Sequence, residues 1–95
     1  MIEIMTFRLA AGSDEESFRA ADRRVQTDFA YRQPGLVRRT TARGEDGGWI
    51  VIDLWRSAEH ADEGSRRWDG DPVAAAFMSF VDIDSVRIRR YATLD

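Results

Sequence analysis

Along Met1 to Leu9 the side chains fall into two interleaved rows, Ile2/Ile4/Thr6 and Met5/Phe7/Leu9, and this period of two predicts a strand. Ala10-Ala11-Gly12 ends it. From Ser13 the spacing changes, and Phe18, Ala21, Val25 and Phe29 form one apolar stripe of an amphipathic helix. Ser13-x-x-Glu16 reads as a capping box, with an acidic first turn at the positive end of the helix dipole. The helix is expected to stop around Tyr31 to Gln33, because Pro34 disfavours helical backbone in the residue before it, and Gly35 completes the turn. A second strand is predicted over Leu36–Arg43 and a third over Trp49–Arg56, joined by a Glu45-Asp46-Gly47-Gly48 hairpin loop. Ser57 starts a second helix with the stripe Ala58, Ala61, Ser65 and Trp68. Asp71, as cap, and Pro72 open a short apolar helix reaching about Val81. Alternation of Val86/Ile88 with Arg87/Arg89 makes Asp84–Tyr91 the fourth strand.

The resulting order, βαββαβ, is that of an α+β, ferredoxin-like sandwich: a four-stranded antiparallel sheet with helices on one face. Right-handed crossovers put both main helices on that face. Strand three, Trp49-Ile50-Val51-Ile52-Asp53-Leu54-Trp55, is nevertheless apolar on both faces apart from Asp53, and strand one is apolar on both rows. Helices bury only one face, and 95 residues leave no spare element for the other. A second copy, docked sheet to sheet as a two-fold homodimer, is the simplest cover.

Composition narrows the chemistry. The length fits one domain spanning residues 1–95, and 43% hydrophobic with 33% charged residues is ordinary globular composition. No apolar run approaches the roughly 18 residues of a spanning helix, and Glu3 and Arg8 interrupt any signal-peptide pattern at the start. A cytoplasmic protein with no membrane partner is the expectation. The absence of cysteine removes disulfides, thiolate metal sites and cysteine nucleophiles together. With His60 as the single histidine, a zinc site would need several carboxylates and is not expected. All 14 basic residues are arginine, scattered among 17 acidic ones for a net charge of −3, which argues against a nucleic-acid partner. There is no asparagine.

Gln33-Pro34-Gly35-Leu36 after the first helix, and Trp49-Ile50-Val51-Ile52-Asp53-Leu54-Trp55-Arg56-Ser57-Ala58-Glu59 running into the second, resemble the antibiotic-biosynthesis monooxygenase (ABM-like) domains of the dimeric α+β barrel superfamily. The resemblance covers nearly the whole chain. It implies a homodimer with a pocket between sheet and helices in each subunit, and a fold that hosts cofactor-free oxygenases, haem-degrading enzymes, isomerases and proteins without known activity. In the oxygenases and haem degraders a strand-borne asparagine positions substrate or oxygen. Val51 stands at about that place here.

Asp53 is the one carboxylate inside an apolar strand, and burying it unpaired would cost several kcal/mol. Either it pairs with an arginine on a neighbouring strand, such as Arg8 or Arg39, or it serves as a general base towards an acidic phenol or enol. Trp55 and Trp68 either wall a pocket for a flat aromatic or apolar ligand or belong to the core, and Phe77 and Phe80 either fill the space beneath Ala58 and Ala61 or leave it open; Trp55, Trp68 and Phe77 are candidates for substrate binding. His60 lies about 120° from its helix stripe, at 100° per residue; it is an idle side chain, a second candidate base or a haem ligand. Arg38, Arg39, Arg43, Arg87 and Arg89 come from the expected edge strands, where they form ion pairs and protect the edges or clamp a substrate anion, Arg39 being the candidate for substrate binding. The expectation is a small-molecule-binding homodimer with no cofactor, acting as a cofactor-independent monooxygenase on an aromatic or polyketide-like substrate. The alternative is a non-enzymatic ligand-binding or auxiliary dimer.

Overall fold

Four antiparallel strands in the order β2-β3-β1-β4 form one sheet in a computed structural model that describes residues 1–94. Strand β1 (Ile2–Phe7) and β3 (Trp49–Trp55) are central, while β2 (Leu36–Arg43) and β4 (Arg87–Tyr91) are the edges. Helices α1 (Glu15–Asp28), α2 (Ala58–Trp68) and α3 (Pro72–Met78) complete the α+β, ferredoxin-like fold, with 3-10 turns at Ala30–Arg32 and Ile83–Ser85. No helix among the described residues is long and apolar enough to cross a membrane.

Several element ends differ from the sequence expectation, each for a local reason. Asp14, rather than Ser13, caps α1 by accepting from the Ser17 amide, while the Ser13 hydroxyl donates to the Phe80 carbonyl. Helix α1 ends at Asp28, and the chain tightens into the 3-10 turn before Pro34. Helix α3 stops at Met78 because the next residues are drawn onto the continuation of β1: Ala10 donates to the Phe80 carbonyl, Leu9 bridges Val81, and Asp82 donates to the Arg8 carbonyl. Strand β4 starts only at Arg87, since Asp82 caps the turn that winds Ile83–Ser85. Gln33-Pro34-Gly35-Leu36 is a turn closed by the Leu36 amide on the Gln33 carbonyl; φ of +82° at Gly35 follows the type II pattern that favours glycine there.

One face of the sheet carries the core. Phe7, Trp49 and Val51 pack against Phe18 and Val25 of α1 and Phe77 of α3. Phe18 is wholly buried and meets Phe7, Trp49 and Phe77 at ring separations of 5.8, 4.9 and 5.2 Å. These are the edge-to-face and tilted contacts aromatic rings prefer. The opposite face pairs Ile2 with Leu54, Ile4 with Ile52 and Thr6 with Ile50, and these side chains remain partly or fully exposed in the single chain. Phe18→Ala is expected to cost about 3–5 kcal/mol, the usual range for emptying a buried phenylalanine site; urea unfolding of the two proteins measures it.

Candidate functional site: a cavity over a charged row

The register places four charged residues in one row across the helix-facing side of the sheet: Arg39 of β2, Asp53 of β3, Glu3 of β1 and Arg90 of β4. Two carboxylates are neighbours at the centre, with a guanidinium at each end. Arg90 holds Glu3 at 2.8 Å and Asp62 of α2 at 2.7 Å. Arg39 is only 6% exposed, yet its guanidinium reaches past its cross-strand neighbour to α1. There it donates to Asp22 at 2.8 Å and to Gln26 at 2.9 Å. Its Nε stays 4.0 Å from Asp53 Oδ1, an oxygen that is buried without a hydrogen-bond partner. Desolvation raises the Asp53 pKa from 3.8 to about 6; Arg39 opposes the shift, and Glu3 and Asp22 reinforce it.

Above this row lies a partly open cavity of about 250 Å³, between the sheet and the helices. Asp53, Glu3 and Arg39 form part of its lining with Val51, Trp55, Phe29 and Trp68. Phe29 and Trp68 meet edge to face at 5.3 Å. Trp55 is 7% exposed, and its indole N–H has no hydrogen-bond partner. A dry cavity of roughly 150 Å³ takes benzene, so this space suits one or two fused rings. The arrangement offers a proton acceptor of near-neutral pKa at the floor of an aromatic chamber, a combination suited to removing a weakly acidic hydroxyl proton.

Four of the residues singled out in the sequence thus share the cavity: Asp53, Trp55, Trp68 and Arg39. Phe77 does not line it and is buried in the aromatic core, with the Arg39 guanidinium 5.8 Å from its ring centroid. His60 lies elsewhere, its ring against Gly35 and its Nδ1 2.7 Å from the hydroxyl of Ser57, the cap of α2. That short contact ties it to the start of its own helix. Arg8, the other suggested partner for Asp53, instead binds Asp46 in the hairpin loop. No group of three or more His, Asp or Glu side chains among the described residues is placed to hold a metal ion.

Besides Glu3, Arg90 and Phe29, three contributors did not stand out in the sequence. Asp22 and Gln26 sit one residue after the buried Ala21 and Val25, on the flank of the α1 stripe, so their reach to β2 required the packed structure. Gly64 is the third. A Cβ there would lie 2.5 Å from Trp55 Cη2, so the glycine gives the indole its place under α2. A glycine inside an amphipathic helix was the available signal.

The sequence matches no family model and no curated protein. Solved structures do match over nearly the whole chain. SnoaB, a cofactor-independent oxygenase from Streptomyces nogalater, superposes with a TM-score of 0.76 at 20% identity, covering 98% of this chain and 94% of that one. A presumed antibiotic biosynthesis monooxygenase from Caulobacter crescentus gives 0.78 at 13% identity, over 99% and 89% of the two chains. The fold is ABM-like. A dimeric ferredoxin-like protein from an uncultured marine organism is also similar, with a TM-score of 0.64 at 12% identity over 93% and 82%. Identities this low establish the ABM-like architecture and leave the chemistry to the residues of the cavity.

Two outcomes follow from this geometry. Below about pH 4 Asp53 is protonated in both the folded and unfolded chain, whereas between about pH 4 and 6 only the folded chain retains the proton, so its burial becomes a cost as pH rises. The stability of Asp53→Asn relative to the parent is therefore expected to rise by roughly 2–3 kcal/mol from pH 4 to 7.5, at 1.36 kcal/mol per pKa unit, in paired denaturation curves. Gly64→Ala gains about 1 kcal/mol of intrinsic helix propensity, but the packed Trp55 ring cannot yield cheaply. Net destabilisation and an altered Trp55 emission are expected; a stabilised protein with unchanged fluorescence would show that the contact is slack.

Proposed function

We propose that this protein is a cytoplasmic homodimer that binds a small aromatic molecule in the cavity of each subunit and oxidises it without a cofactor. The observation that carries this reading is the desolvated Asp53 carboxylate beneath the aromatic walls, with Oδ1 lacking a hydrogen-bond partner. In this reaction Asp53 takes the proton of a phenolic or enolic substrate, and the resulting electron-rich carbanion reduces dioxygen. A ring CH₂ becomes C=O: the carbon loses two hydrogens and gains one oxygen atom, and the second oxygen atom leaves as water. Trp55, Trp68 and Phe29 hold the ring system, and Arg39, engaged by α1, contributes positive potential near the nascent anion. The similarity to SnoaB supports the reaction class, and the apolar Ile2/Ile4/Ile50/Ile52/Leu54 face supports pairing of two sheets.

A second reading is a dimer that binds its ligand without altering it. Val51 favours it, because this apolar side chain lines the cavity at the position where the resemblance to the oxygenases calls for an asparagine.

Native mass spectrometry of the untagged 10.9 kDa chain, paired with a denatured spectrum, tests both readings. A dimer with a discrete small-molecule mass is expected. Aerobic incubation of that molecule with fresh protein is expected to add one oxygen and remove two hydrogens, and Asp53→Ala to abolish the change. Recovery of the molecule unaltered supports the second reading, and a monomer overturns sheet-to-sheet pairing.

A further inference from the structure

Asp53 and Arg39 are direct cross-strand neighbours, the placement in which opposite charges on a sheet ordinarily pair. Here they do not. The Arg39 guanidinium is held by α1, on Asp22 at 2.8 Å and Gln26 at 2.9 Å, with the Nε–Asp53 separation left at 4.0 Å. Asp22 is itself fixed by the Thr41 hydroxyl, which donates to the same Oδ1 at 2.8 Å. Tyr31 adds a further tie, its hydroxyl accepting from the Arg39 amide at 2.9 Å. A buried guanidinium satisfied by another carboxylate has little reason to leave it, and the carboxylate it passes over is left bare.

We propose that Asp22 is a positioning residue: by holding the Arg39 guanidinium on α1 it prevents a close, hydrogen-bonded Arg39–Asp53 ion pair and keeps Asp53 free to accept a proton from whatever occupies the cavity. This deepens the base role assigned to Asp53 above and rests on it. The charged groups around Asp53 are few. Arg39 faces it from β2, Glu3 from β1 with Arg90 of β4 on its far side, Asp22 from α1, and Asp69 lines the same cavity at the end of α2. Glu3 is occupied by Arg90, so Arg39 is the cation within reach of Asp53. One guanidinium thus stands between two carboxylates, and its choice decides the basicity of the one in the cavity.

The test is Asp22→Asn, compared with the parent by ¹³C NMR titration of the Asp53 carboxyl carbon and by a crystal structure of the ligand-free protein. The Asp53 midpoint is expected to fall from about 6 into the ordinary carboxylate range or below. In the crystal the Arg39 guanidinium is expected to move onto Asp53, to a hydrogen-bond distance of about 2.7–2.9 Å. An unchanged or higher midpoint overturns the proposal. So does a lower midpoint with the guanidinium still on α1, because loss of the Asp22 charge would then act alone. Asp22→Ser, which retains a hydroxyl for Thr41, repeats both measurements if the asparagine variant folds poorly. Neither readout needs a substrate: a positive result with no oxidised product would retain the positioning role while rejecting the oxygenase reading.

Discussion

The structure turns on an imbalance in one row of the sheet. Arg39, Asp53, Glu3 and Arg90 lie side by side, and the surrounding helices add Asp22 and Asp62. Four carboxylates therefore share two guanidinium groups. Asp22, Glu3 and Asp62 each have a close guanidinium partner, and Asp53 has none. In an apolar core such a charge is expensive, and protonation is the cheapest relief the chain itself offers. The raised pKa of Asp53 follows first from desolvation, which Arg39, held away on α1, offsets only in part.

Packing explains why the imbalance persists beside open space. On one side of the row, Phe7, Phe18, Trp49 and Phe77 fill the region under α1 and α3 with interlocking rings. On the other side, α2 approaches the sheet through Ala61 and Gly64, the two buried residues of its inner face. Small residues admit the Trp55 ring without filling the space beyond it. The same sheet thus has a dense end that supplies stability and a loosely filled end that leaves the cavity open. Such a division is expected where function opposes close packing.

The fold was largely legible in the sequence. Alternation along Trp49–Trp55 and the stripe Phe18/Ala21/Val25/Phe29 report a half-buried sheet and its covering helix directly, because burial imposes their periods. The errors fell at element ends. Ser13 and Asp14 are both good caps, and the choice between them was made by the Phe80 carbonyl, far away in sequence. Asp53, Trp55 and Trp68 stood out by chemistry, since a lone carboxylate in an apolar strand and tryptophans flanking small residues are local signals. The partner of Arg39 was not legible: cross-strand adjacency pointed to Asp53, and only the approach of α1 brings Asp22 closer. His60 lies outside the cavity lining for a related reason. As the single histidine it attracted attention, although Ser57, three residues earlier, was already placed to bind it.

The proposed chemistry depends on the Asp53 carboxylate keeping Oδ1 buried without a hydrogen-bond partner in the folded protein. The most direct measurement is the pH titration of its ¹³Cγ resonance in the unmodified, ligand-free chain. A midpoint near 6 is expected, more than a unit above the ordinary aspartate value. A midpoint at or below 4 would mean that Arg39 or solvent already satisfies the carboxylate, and the cavity would then lose its candidate base.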